Sequence, residues 1–177
     1  MTDMMPLLGY DALEFYVGNA RQAAHYYRTA FGFDVVAYSG PETGVRDRSS
    51  FVLEQGKIRF VVTAGLAPDS PIVAHQALHG DGVKDVAFLV PDAESAFQVA
   101  LDRGAKAHLE PESREDDYGK VVVSAIKAYG DTIHTFVDRS NYSGPYLPGY
   151  KPTRHWQPAQ STGLRLIDHV VCNVELG

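Results

Sequence analysis

The apolar positions along this chain fall into a pattern that occurs twice. Leu13-Glu14-Phe15-Tyr16-Val17, followed by Gly18-Asn19-Ala20, returns 73 positions later as Val86-Ala87-Phe88-Leu89-Val90 followed by Pro91-Asp92-Ala93. Each copy predicts a strand, a cap and a helix. Asn19 caps a stripe of Ala20, Ala23, Ala24, Tyr27, Ala30 and Phe31 at three-and-four spacing, with Gly32 placed to end it. Asp92 does the same for Ala93, Ala96, Phe97, Ala100 and Leu101, with Gly104 as the stop. β-rich stretches follow each helix, at 33–38, 49–54 and 57–64 in the first copy and 106–109, 120–126 and 132–137 in the second. Gln55-Gly56 and Tyr129-Gly130-Asp131 supply the hairpin turns.

The predicted fold class is therefore α+β, with two β-α-β-β-β modules side by side in a curved, barrel-like mixed sheet and their helices outside. The expected domain covers 8–140, as modules 8–66 and 82–140 joined by a helix over 71–79. The polar stretch 110–119 predicts an exposed loop. From 141 to 163 the composition turns to Pro, Gly, Tyr and Ser, which predicts a linker running over the surface. Residues 164–177 restore an alternating strand pattern and align with the opening of the other two copies. The expectation is the first strand of a third module, cut short.

Charge and composition narrow the function classes. With 177 residues and 45% hydrophobic content the chain is long enough for a sizeable core. A net charge of -6, from 16 basic and 22 acidic residues, leaves no basic excess for a nucleic-acid backbone. No apolar run is long enough to cross a membrane, and the first residues lack a signal-peptide pattern, so the expected compartment is the cytoplasm. The single cysteine, Cys172, leaves any metal to His and carboxylate ligands. Its alternation with Val170 and Val174 predicts a packed side chain.

The three copies allow one strand position to be compared, and it holds Ala12, Asp85 and His169. A non-haem iron oxygenase site needs two His and one carboxylate on one face, with positions left open for substrate and O2. Of the three residues only His169 is a strong ligand, and a half-buried structural histidine is the alternative reading. Asp85 reads as the remnant of a site. His75 and His79, four apart on the expected connecting helix, have the spacing of a zinc protease motif, but Gln76 stands where its catalytic Glu belongs. They read as helix-end residues, His25 as a surface residue and His134 as a structural hydrogen-bonding group.

Four stretches carry a family resemblance: Val17-Gly-Asn-Ala-Arg-Gln-Ala-Ala-His-Tyr-Tyr27, His79-Gly-Asp-Gly-Val-Lys-Asp-Val-Ala-Phe88, Gly144-Pro-Tyr-Leu-Pro-Gly-Tyr150, and Ile167-Asp-His-Val-Val-Cys-Asn-Val-Glu-Leu-Gly177. In order and over almost the whole chain, they resemble the N-terminal half of the 4-hydroxyphenylpyruvate dioxygenases, a family of the vicinal-oxygen-chelate fold within the glyoxalase, bleomycin-resistance and dioxygenase superfamily. The resemblance implies an N-terminal module pair that has lost its metal, and His169 as the first of three Fe(II) ligands. It implies a 2-oxo acid substrate, O2 as co-substrate, a place in tyrosine catabolism with homogentisate as product, and a homo-oligomer. The other ligands would lie outside this stretch, so the chain by itself is expected to be inactive. Related readings are a 4-hydroxymandelate synthase, a non-catalytic small-molecule-binding protein of the same fold, and a pure assembly domain.

Overall fold

The computed structural model describes residues 4–153 and 156–174. Its elements start where side chains can take up the free ends of helices. After strand β1 (Gly9–Tyr16), the Asn19 side chain accepts a hydrogen bond from the Gln22 N–H at 2.9 Å and opens α1 (Ala20–Phe31). After β5 (Gly82–Leu89), Asp92 accepts from the Ser95 N–H at 2.9 Å and opens α3 (Ala93–Asp102). Strands β2 (Asp34–Ser39), β3 (Arg48–Gln55) and β4 (Ile58–Gly65) complete the first module. Helix α2 (Pro71–His79) connects it to the second, which ends in β6 (Lys106–Asp116), β7 (Gly119–Lys127) and β8 (Ile133–Tyr142). A two-residue strand, β9 (Lys151–Pro152), follows.

The nine strands among the described residues form one sheet in the order β6-β7-β8-β5-β1-β4-β3-β2-β9. In each module the opening strand lies parallel to the last, β1 to β4 and β5 to β8. The modules meet where β1 runs antiparallel to β5, with Leu13 opposite Val86. These two residues are equivalent in the sequence repeat, so a local two-fold axis passes through their pair.

One face of the curled sheet carries the helices. Ala20 and Ala24 of α1 let its backbone approach Phe33, Leu53 and Val62, while Ala93, Ala96 and Ala100 do the same for α3 against Phe136. The opposite, concave face is floored by Ala12, Ala37, Val52 and Val61 in the first module and by Ala87, Val121, Val123 and Val137 in the second. Small and β-branched residues at these positions leave a hollow above the sheet.

Three expectations change. The predicted loop at 110–119 is mostly strand, because β6 continues to Asp116 along β7, with register shifts around Leu109 that accommodate Pro111. An exposed, charged edge strand has the composition of a loop. The stretch 141–163 does not simply run over the surface: β8 extends into it, Tyr146 is buried among Ala12, Ala37 and Val61, and β9 pairs with β2. Between 164 and 174 there is no strand ladder, so Cys172 lacks a sheet to pack on and is exposed, with its thiol against the Tyr129 hydroxyl. Residues 175–177 of the expected third opening strand lie outside the described residues.

The stretch after β9 docks on the first module around Gln55, with Arg28 donating to the Gln157 carbonyl, Asp34 accepting from the Ala159 N–H and the Lys57 N–H donating to the Arg165 carbonyl beside it. Gln55 Oε1 accepts from the Ser161 hydroxyl at 2.9 Å and from the N–H groups of Thr162 and Leu164, both at 3.1 Å. Gly32 and Gly56 make this approach feasible. Both have positive φ, and a Cβ at Gly32 would lie 2.3 Å from the Gln160 carbonyl oxygen, one at Gly56 2.7 Å from that of Arg165.

Candidate functional site: a cup filled by its own chain

The concave face encloses a hollow of about 460 Å3, bordered by Glu14 and Tyr16 of β1, Asp85 of β5, Thr135 of β8 and Tyr146 and Tyr150 from the stretch after β8. Glu14 and Asp85 are direct partners across the β1–β5 seam, so two carboxylates meet at the centre of the cup. Each is held by hydroxyl groups. Thr63 donates to Glu14 at 2.6 Å and is itself 2.8 Å from Ser50, while Thr135 donates to Asp85 through its hydroxyl at 2.5 Å and its N–H at 3.0 Å.

Burial raises the pKa of both acids. Asp85, 7% exposed, is pushed up to about 7 by desolvation, against the Thr135 hydroxyl bond that lowers it and with the neighbouring Glu14 charge adding to the rise. Glu14 keeps some accessible surface, but that surface faces the hollow, and desolvation again raises its pKa over the opposing Thr63 bond. Burial in the cup floor thus works against the charged form of both carboxyls.

Tyr146 closes the cup over a charged cluster. The buried Asp11 carboxylate receives Arg139 at 2.7 Å on both oxygens and Arg59 at 3.2 Å, and Arg59 also reaches Glu54 at 2.7 Å. The two guanidinium carbons lie 5.6 and 5.7 Å from the centroid of the Tyr146 ring, and Arg139 donates to the Tyr146 carbonyl. Leu147 and Tyr150 fill the remaining floor.

The ligand-equivalent residues separate in this frame. Ala12 and Asp85 sit in the cup, and Asp85 has Thr135 rather than histidine as its partner. His169 lies in the tail with its side chain 71% exposed, its Nδ1 2.7 Å from the Asp168 carboxylate. His134 bonds the Val86 carbonyl at 3.2 Å, the structural role expected of it, and His25 is exposed. The described residues bring no set of two His and one carboxylate into the cup, so the cup does not fit an iron centre. Glu14 enters the sequence pattern only as part of the repeated strand and with no site role, although it shares strand parity with Ala12 and is therefore readable as a cup residue. The Asp11–Arg59–Arg139 cluster joins positions up to 128 residues apart and left no local signal.

Residues 1–146 match the family model described as hydroxyphenylpyruvate dioxygenase, N-terminal. The chain belongs to the hydroxyphenylpyruvate dioxygenase family. It is 44% identical over 171 residues to the 4-hydroxyphenylpyruvate dioxygenase of Dictyostelium discoideum, covering 93% of this chain and 47% of that protein. It is 45% identical over 172 residues to that of Xenopus tropicalis, covering 94% and 44%. This member of the family thus spans about half the length of the curated relatives it matches. Among solved structures, a triple mutant of 4-hydroxymandelate synthase from Streptomyces coelicolor superposes with a TM-score of 0.77 at 31% identity, covering 91% of this chain and 45% of that one. Methylmalonyl-CoA epimerase from Mycobacterium tuberculosis, at 17% identity, a TM-score of 0.62 and coverage of 78% and 92%, shares the fold alone. The vicinal-oxygen-chelate architecture is common to these proteins, and here its cup is occupied by tyrosines and buried acids. No described helix is long and apolar enough to cross a membrane.

Proposed function

We propose that this chain is the N-terminal portion of a 4-hydroxyphenylpyruvate dioxygenase and that its cup is structural. The observation that carries the reading is identity of 44% sustained over 93% of the chain to an enzyme of that name. The whole enzyme would take 4-hydroxyphenylpyruvate and O2 to homogentisate and CO2 with Fe(II), as a step of tyrosine catabolism in the cytoplasm, and would work as a homo-oligomer. Within it, His169 is one iron ligand, on the opening strand of a further module. The exposed apolar side chains of Leu164, Leu166, Val171 and Val174 support this reading, since they are what a strand offers before a partner covers it. This chain by itself has one such ligand and no catalytic activity. A 4-hydroxymandelate synthase is the second reading, with the lower identity of 31%.

A chimera tests the proposal. Residues 1–174 replace the matching part of the Dictyostelium enzyme, and homogentisate formation and bound iron are measured. The chimera is expected to turn over, and its His169→Ala variant to lose iron and turnover together. A folded chimera without activity, or a His169→Ala variant that keeps its iron, would sink the proposal.

A further inference from the structure

We propose that His75, His79 and Asp131 form a second site, one that binds a divalent first-row transition cation of the zinc type and ties α2 to the turn between β7 and β8. The two histidines occupy the last turns of α2 at a spacing of four, which places both rings on one side of the helix, with centroids 4.5 Å apart. Asp131 arrives from the second module, its carboxylate 2.8 Å from His79 Nε2. One ligand atom from each of the three residues lies within 4.8 Å of the others, and no other such group of three occurs among the described residues.

Both sides of the site are supported from behind. The Tyr16 ring stands edge-on to His75, with centroids 5.3 Å apart at 85°. On the other side Lys84 binds the Asp131 backbone carbonyl, which anchors the turn while leaving the carboxylate oxygens for other partners. Such outer contacts orient ligands before a metal arrives. Around a tetrahedral zinc, ligand atoms at about 2.0–2.1 Å from the ion lie about 3.4 Å from one another. The ligand atoms here lie within 4.8 Å of one another, so they close in by up to about 1.4 Å when the ion binds. His79 and Asp131 are exposed and His75 is half-buried, so rotamer adjustment closes the gap without moving the backbone.

The donor set selects the cation. Two imidazoles and one carboxylate suit zinc, cobalt, nickel or copper rather than calcium or magnesium, which prefer all-oxygen shells. Three protein ligands leave the remaining positions to water. Gln76 follows His75 where a hydrolytic site needs a general base, so the site is a clip rather than a catalyst. Bound metal would join the connecting helix of one module to a hairpin of the other.

The test uses the chain free of any affinity tag and stripped with chelator. Zn2+ binding is followed by calorimetry, Co2+ by its visible spectrum, and thermal unfolding with and without Zn2+. One equivalent should bind and raise Tm, and His75→Ala, His79→Ala and Asp131→Asn should each weaken binding about tenfold or more. His169→Ala serves as the control and should change nothing, which separates this site from the iron ligand proposed above. Circular dichroism of each variant confirms that these surface changes leave the fold intact. Absence of binding at millimolar metal, binding that survives the His75→Ala/His79→Ala double substitution, or binding abolished by His169→Ala would each overturn the proposal.

Discussion

Replacing Asp85 with asparagine should stabilise the protein above neutral pH, although it alters a buried, hydrogen-bonded residue. In the folded chain this carboxyl titrates at about 7 against a reference of 3.8, because burial beside Glu14 disfavours its charge. Between those values the folded state binds a proton that the unfolded state has released. Stability is therefore fully present at low pH and is lost as pH rises through the window from 3.8 to about 7. The full shift corresponds to about 4 kcal/mol as an upper bound, and the part lost between pH 5 and pH 8 to about 3 kcal/mol. Asparagine keeps the geometry, since its oxygen accepts from the Thr135 N–H and its amide donates to a reoriented Thr135 hydroxyl. Urea unfolding followed by circular dichroism at several pH values from 5 to 8 measures the difference between wild type and Asp85→Asn. That difference cancels the opposite contributions of His75 and His108, whose pKa values burial lowers. The variant should gain on wild type steadily as pH rises and exceed it by a few kcal/mol at pH 8. A difference that stays constant with pH would show that Asp85 is charged in the folded state at little cost, and the account of the cup floor would be wrong.

Two further substitutions probe how the chain covers its own sheet. Gly56→Ala adds a Cβ within 2.7 Å of the Arg165 carbonyl at φ +60, so residues 156–165 should detach while the modules stay folded. Limited proteolysis should then cut there faster than in wild type, and an unchanged cleavage rate would contradict the docking. Tyr146→Ala empties the cup and removes the ring between Arg59 and Arg139, at a cost of about 3 kcal/mol or more, read as a lower urea midpoint; a midpoint within error of wild type would show that the plug contributes nothing.

What the sequence disclosed, and what it hid, follows from the range of the interactions involved. The strand-cap-helix repeat is local, and Asn19 and Asp92 hold the capping positions the periodicity assigned to them. The continuation of β6 beyond Leu109 was hidden because its pairing with β7 leaves an edge of Glu, Arg and Asp residues that hydropathy cannot separate from a loop. The segment Gly144 to Tyr150 stood out as a motif, yet its inward turn depends on Asp11 and Arg59, which lie far upstream. The spacing of His75 and His79 was visible, whereas Asp131 becomes their neighbour only once β7 and β8 fold back beside α2. His169 was singled out by alignment of the three openings, a comparison that reports descent rather than contact, and here its exposed ring bonds to Asp168.

The pairing of Leu13 with Val86 carries a lesson about ancestry and about engineering. A residue facing its own repeat equivalent is the signature of a symmetric dimer contact, here enclosed within one polypeptide. A single module released from its twin would expose β1 as an unpaired edge already shaped to accept another β1, so its natural remedy is to dimerise through Leu13 against Leu13. The helix that joins the modules then acts as a tether, fixing the local concentration of the second copy, and fusion freed each half to drift: Glu14 and Asp85, which face each other across the seam, stand where the opposite module has Ala87 and Ala12.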